Sequence, residues 1–300
     1  MDLLDSRRLR NFLAVYDVGS IGQAAQKLFL TQPALSKSIR QLEEDLQVQL
    51  FERTPTGVIP TVFGDALAQH AKIIRAEMRN AEHEIAILRG AAKGQVRIGV
   101  GPSVATNILP HALLELHKTH PNIMITAREG LVDELIPAVR RGELDLAIGS
   151  WPQVSDPDLA ADIILSDKVS VVAGKNHPLA KQTSVELTQL LNYPWALPPE
   201  TQRWRRLLEE TFIAQGITPP RADVTSNSST LIWSLLMGND FLSFLPEQVL
   251  PDDKDSGLVT LPVKALSLDI HVTATYRSRA MLSPATQALI KAVKNAVEKR

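Results

Sequence analysis

The 300-residue chain contains no cysteine, which excludes disulfides, thiolate nucleophiles and zinc sites built on Cys. No apolar run approaches the roughly 20 residues that a membrane-spanning helix needs. The opening Met-Asp-Leu-Leu-Asp-Ser-Arg-Arg lacks the apolar stretch of a secretory leader, so the chain is expected in the cytoplasm. Catalytic spacings are missing too. The seven histidines are scattered without an H-E-x-x-H, Gly99-Val100-Gly101 lacks the rest of a dinucleotide fingerprint, and no glycine-rich phosphate loop precedes a lysine. Neither an enzyme nor a metal site is expected. An excess of positive charge is also absent: 32 Lys and Arg against 33 Asp and Glu give a formal net charge of -1. The sum alone does not announce a nucleic-acid binder. With 44% hydrophobic and 22% charged residues there is no disorder signature, and the length calls for two or three domains with ample core.

What the chain has is concentrated in residues 20 to 46, SIGQAAQKLFLTQPALSKSIRQLEEDL. Ser20 is placed to cap a helix with Gln23 at its third position, a capping-box spacing. Ala24, Ala25 and Leu28 give that helix a face small enough for another to cross closely. Thr31 caps a second helix, Pro33 fits its first turn where a missing N–H costs nothing, and Leu35, Ile39, Leu42 and Leu46 recur at helical spacing. Gln32, Ser36, Lys37 and Arg40 share the opposite side near the N-terminal end. These are the amide, hydroxyl and cationic groups with which a helix-turn-helix meets base edges and phosphates. The same segment also suits two amphipathic helices in an ordinary bundle. Its surroundings favour DNA. Leu9, Phe12, Leu13 and Tyr16 supply the stripe of a third helix. Leu50-Phe51-Glu52-Arg53, a Thr54-Pro55-Thr56-Gly57 turn and Val58-Ile59-Pro60 form a small wing, from which Arg53 reaches a phosphate and sets position rather than sequence.

Residues 1 to 64, through AAQKLFLTQPALSKSIRQLEEDLQVQLFER and the following Thr61-Val62-Phe63-Gly64, resemble the winged helix-turn-helix of LysR-type transcriptional regulators. Pro60 and Phe63 depart from the Leu and Ala frequent there. The resemblance implies that Gln32, Pro33, Ser36, Lys37 and Arg40 open the recognition helix and that Arg53 belongs to the phosphate-holding wing. With the capping residues Ser20 and Thr31, these are the candidate DNA-contacting residues.

Residues 1 to 64 balance their acids and bases, with Glu43, Glu44 and Asp45 at the far end of the recognition helix. Few phosphate contacts per subunit then call for several subunits bound together. Residues 61 to 89 carry Leu67, Ala71, Ile74, Met78, Ala81, Ile85 and Leu88 in alternating steps of four and three, a seam for two helices at a shallow angle. Thr61 is its expected N-cap and Gly90 its stop. A helix folded back on its own domain has the same pattern. LysR-type regulators pair subunits through the equivalent helix, which implies a dimer, a tetramer beyond it, and an interrupted palindromic DNA site. RNA polymerase is a further partner that a regulator of this kind calls for.

After Gly94, strands expected at 95–100, 123–129 and 144–149 alternate with helices at 108–120 and 131–141, calling for a mostly parallel sheet covered on both faces. A second sheet-and-helix unit follows, and a final strand (268–276) and helix (283–299) return to the first. This resembles the periplasmic-binding-protein-like effector domain of the same family. The expected architecture is therefore multidomain: an all-α winged helix-turn-helix (1–64), a long linker and dimerisation helix (65–90), and a two-lobed α/β effector domain (91–300). Its lobe I comprises 91–165 and 266–300, and its lobe II 166–265.

Ligands of such sheets collect beyond the carboxyl ends of the strands. There lie Gly101-Pro102-Ser103-Val104-Ala105, Gly130-Leu131, Gly149-Ser150-Trp151 and Ser226-Asn227-Ser228-Ser229. Helix N-termini with serine hydroxyls favour an anion, so the expected effector is an organic carboxylate, and no cofactor is expected. Trp151 and Trp204 are expected to close over its apolar part and Arg203 to reach its acid. Ser103, Val104, Leu131, Ser150, Trp151, Arg203, Trp204, Ser226 and Ser228 are the candidate effector residues. The plainer alternative makes the serines caps and the tryptophans core. For the whole domain, a solute-binding protein or a two-lobed enzyme of the same architecture is the competing function.

Overall fold

A computed structural model describes residues 6–88, 94–151, 156–200, 202–238, 240–250, 257–278 and 282–298. The chain forms two compact units, Met1–Ala91 with Arg140–Glu143, and Ala92–Val139 with Leu144–Arg300.

In the first unit, helices α1 (Ser6–Val18), α2 (Ile21–Lys27) and α3 (Gln32–Leu46) close around buried Phe12, Leu13, Ala24, Ala25, Leu35 and Leu42. The two alanines let α2 approach its neighbours, and Asn11 Nδ2 ties α1 to α3 by donating to Ser38 Oγ at 2.9 Å. Strands β1 (Phe51–Thr54) and β2 (Gly57–Pro60) pair antiparallel as the wing. Gly57 at the turn has φ 151°, and a Cβ there would stand 2.3 Å from the Gly19 carbonyl oxygen, which accepts the Val58 N–H. Helix α4 (Val62–Leu88) starts at Thr61, whose hydroxyl accepts the Gly64 N–H at 3.1 Å and donates to Gln49 O at 2.7 Å. Its length is about 40 Å at ~1.5 Å per residue. Its apolar seam is covered by its own domain only in part. Ala71 is buried and Leu67 half-buried against the three-helix core, whereas Ile74, Met78 and Ile85 are exposed. Gly90 lies outside the described residues.

In the second unit, β3 (Gln95–Val100) pairs in parallel with β4 (Met124–Glu129) and β5 (Leu146–Gly149), through α5 (Leu109–Thr119) and α6 (Val132–Arg140). A π-turn, Val104–Ile108, precedes α5. The long strands β6 (Leu159–Gly174) and β11 (Leu268–Arg277) run antiparallel to each other, β11 also against β5, and β6 continues to β9 (Leu242–Pro246) and β10 (Leu258–Thr260). The short elements α7 (Leu187–Leu190), β7 (Ala196–Leu197), α8 (Arg203–Ala214), β8 (Val224–Thr225) and α9 (Ser229–Gly238) surround the β9 end, and α10 (Pro284–Glu298) covers β3 and β6 beside α5.

Among the described residues, the mostly parallel sheet expected from sequence is thus parallel at β3 with β4 and β5 and antiparallel across its other pairs, while β7 and β8 form a separate parallel pair. Residues 159–168, given no strand from sequence, form the first half of β6: exposure alternates through Ala161 and Ile163, shifts by one at buried Ile164, which has no partner on β11, and resumes at exposed Ser166 and Lys168. Because β6 and β11 run through both halves, they join two cores. One gathers Ile98, Ile108, Ile148, Val272 and Leu289; the other gathers Val171, Trp195, Leu208, Phe212 and Phe244. The pairing register slips between Val272 and Thr273, at the edge of the first core, two residues beyond Ile270 of the second.

Candidate nucleic-acid interface and ligand cleft

Ser20 caps α2, accepting the Gln23 N–H at 3.4 Å, and Thr31 caps α3, accepting the Ala34 N–H at 3.4 Å. With Pro33 in its first turn, α3 buries Leu35, Ile39 and Leu42 and exposes Thr31, Gln32, Pro33, Lys37 and Arg40; Ser36 is half-buried. Arg53 is exposed on β1 of the wing. The structure therefore holds one polar face at the N-terminal half of α3.

Two of the three acids at the far end of α3 are occupied inside the fold, and Glu44 is exposed. Glu43 Oε1 accepts the N–H groups of Leu50 (2.8 Å) and Phe51 (3.2 Å), fastening the start of the wing to α3. Asp45 pairs with Arg8 and accepts from Gln41 Nε2 at 3.2 Å. Among the described residues Lys37, Arg40 and Arg53 have no ion-pair partner. With Glu43 and Asp45 taken up inside the fold, the local field at the N-terminal half of α3 is more positive than the net charge suggests.

In the second unit, a cleft of about 30 Å³ is lined by Pro102, Ser103, Leu131, Pro198, Gln202, Trp204, Ser226, Asn227, Ser229, Ile232, Leu245 and Pro246. It offers hydroxyl, amide and indole groups against an apolar wall, and no lining side chain carries a charge. Ser103 and Gln202 are buried, and the Trp204 indole nitrogen is buried with no hydrogen-bond partner among the described residues. Ser103 precedes the π-turn, and Ser229 opens α9, so two helical starts face the same space.

Of the residues singled out from sequence, the structure brings Ser103, Leu131, Trp204 and Ser226 to this cleft. Val104 belongs to the first core. Ser150 is half-buried off the cleft lining, and Trp151 is buried, its indole N–H donating to Thr275 Oγ1 at 3.1 Å. Arg203 is exposed at the start of α8. Ser228 serves as a cap: its hydroxyl accepts the Leu231 N–H at 3.3 Å. Gln202, Pro198, Asn227, Ser229 and Ile232 line the cleft without having been singled out. Only Asn227 and Ser229 carried a signal, as members of a polar stretch before a helix.

Among the described residues no helix is long and apolar enough to cross a membrane, and no cluster of His, Asp and Glu could hold a metal ion.

Comparison with known proteins gives a consistent result. Residues 6–65 match the family model described as bacterial regulatory helix-turn-helix protein, lysR family, and residues 89–298 match the LysR substrate binding domain. The chain is 28% identical over 296 residues to the uncharacterized HTH-type transcriptional regulator YdcI of Escherichia coli K12, covering 97% of this chain and 95% of that one. It is also 28% identical over 284 residues to the HTH-type transcriptional regulator TdcA of the same strain, covering 94% and 90%. Among solved structures, a full-length OxyR variant from Pseudomonas aeruginosa superimposes with a TM-score of 0.74 at 20% identity, covering 97% of this chain and 95% of that one. Full-length CbnR complexed with its target DNA does so with a TM-score of 0.68 at 18% identity, covering 98% and 100%.

Proposed function

The chain belongs to the LysR family of transcriptional regulators, and from that premise we propose how its own residues do the work: the N-terminal half of α3 reads an operator, and an organic carboxylate in the cleft sets the outcome. Gln32, Pro33 and Ser36 face the bases, Lys37, Arg40 and Arg53 the phosphates, and Ser20 and Thr31 hold the two helix starts that aim them. Subunits pair through the exposed part of α4, where Ile74 and Met78 border a groove of about 350 Å³ whose floor includes the buried Leu9 and Leu13 of α1. A pair of such heads reads an interrupted palindrome, and a pair of pairs supplies a tetramer. This work is done in the cytoplasm, beside the chromosome.

The observation that carries the effector reading is the cleft's lining, in which neutral donors from Ser103, Trp204, Ser226, Asn227 and Ser229 gather without a competing carboxylate. Two helical starts add partial positive charge, which favours an anion. The walls of Leu131, Pro198, Ile232 and Leu245 fit a small apolar body on that acid. The ligand favours whichever arrangement of the halves joined by β6 and β11 it binds better. A hundredfold preference shifts the balance by about 2.7 kcal/mol per site.

The test is a thermal-shift screen of small carboxylates and their amides against the full-length protein, followed by operator binding with each hit. A carboxylate that stabilises the protein while its amide does not, and that changes operator affinity or footprint, is the expected result. Stabilisation by neutral analogues alone would exclude an acid.

A further inference from the structure

Phe29 follows the last turn of α2 with φ 56°, and it is 97% exposed. The turn is held by backbone alone: Phe29 N–H donates to Gln26 O at 3.1 Å and Leu30 N–H to Ala25 O at 2.9 Å. This is the paired closure that favours glycine or asparagine in the left-handed position. A Phe there carries the conformational cost of a Cβ and leaves its ring in water, so nothing in the fold accounts for it. Gln47, the other non-glycine residue at φ 56°, is also exposed, but its amide is at home in water.

Position supplies the reason. Phe29 stands two residues before Thr31, the cap of α3, on the rim of the face formed by Thr31, Gln32 and Pro33. When the N-terminal end of α3 enters a major groove, the turn ahead of it comes to the groove edge, whose apolar features are deoxyribose rings and thymine methyls. A protein partner would need a wider apolar patch. The exposed neighbours of Phe29 are instead Gln26, Lys27, Thr31 and Gln32, groups suited to a polyanion. We propose that Phe29 is a DNA-contact residue, its ring covering a deoxyribose edge or a thymine methyl beside the bases that α3 reads. The proposal rests on the operator-reading role of α3.

The test starts by selecting duplexes from a random-sequence library with the full-length protein, then measures Phe29→Asn and Phe29→Gly on the enriched duplex. Both replacements suit the turn. Losing about 50 Å² of apolar cover corresponds to roughly eightfold weaker binding. The slope against salt should stay unchanged, because no charge is removed, and the melting temperature should be equal or higher. Replacing thymines by deoxyuridine one at a time distinguishes the two contacts: a matching loss at one position, absent in the variants, identifies the methyl, and no loss anywhere identifies the sugar. Affinities of both variants within twofold of the parent overturn the proposal. A library that yields no enriched duplex overturns the reading role of α3 instead.

Discussion

Gln248 Nε2 donates to the Ser103 hydroxyl oxygen at 3.2 Å, joining two buried residues 145 positions apart. The same residue is fastened to the ribbon between the cores, since its backbone N–H donates to Asp167 Oδ2 at 3.2 Å. Asn107, inside the π-turn, donates to the carbonyls of Gln248 and Leu250 at 3.3 Å each. Because the Ser103 oxygen accepts from Gln248, its own proton is free to be donated into the cleft. A ligand that accepted this proton would couple occupancy of the cleft to the set of the ribbon through one hydroxyl.

Replacing Gln248 by Leu should remove that coupling. The buried hydrogen bond is lost and Ser103 is no longer oriented, costing about 1–3 kcal/mol of stability in the second unit. Urea denaturation should show this loss, and the response to the carboxylate found by screening should weaken while operator binding stays at the parental level. A parental response would mean that Ser103 needs no orienting partner.

How much of this was legible in sequence depends on the kind of signal. Ser103, Leu131 and Ser226 follow strand ends, so topology alone put them near a cleft. Gln248 has no such mark, being brought to Ser103 by the ribbon. Trp151 was misleading for a local reason: an added Cβ at Gly149 would stand 2.0 Å from its ring, so the indole fills the space a side chain would take and seals a core instead of a ligand. Ser228 stood in the right stretch, but its hydroxyl turns to cap α9. The helix-turn-helix was readable throughout because caps, small residues and apolar spacing all act within a few turns. The antiparallel course of β6 was not, since strand direction is set by partners far away in the chain.

Gln32 and Arg53 should separate cleanly in binding experiments. Gln32→Ala should cost roughly 1–3 kcal/mol of discrimination between operator and mismatched duplex. Arg53→Ala should weaken all duplexes alike and reduce the salt slope by about 0.9 per half-site. Competition gel shifts at several salt concentrations measure both, and exchanged phenotypes would reverse the assignment.

Phe29→Gly should stabilise the first unit by about 0.5–1 kcal/mol, since the turn no longer forces a side chain into the left-handed region. Chemical denaturation should show the gain. A loss of stability would mean that the ring contributes to the fold.

Stability should also fall on mild acidification through His177. Burial lowers its pKa from the usual 6.5, against a weaker opposing pull from the Asp240 carbonyl. Its Nδ1 accepts the Leu179 N–H at 3.1 Å, which requires the neutral ring. The unfolded chain therefore takes up the proton first, so this contribution is complete above about pH 6.5 and declines as the pH falls toward the lower folded value. Denaturation midpoints between pH 8 and pH 5 should fall more steeply for the parent than for His177→Gln. Parallel profiles would show that His177 titrates as in water.

Operator recognition rests on sequence selection by the polar tip of α3. Full-length protein and its Gln32→Ala variant, each incubated with fragmented genomic DNA at moderate salt and sequenced after capture, test this directly. The parent should enrich fragments sharing two inverted half-sites, and the variant should retain DNA while losing that shared motif. Capture of random fragments by the parent, or the same motif from both proteins, would contradict it.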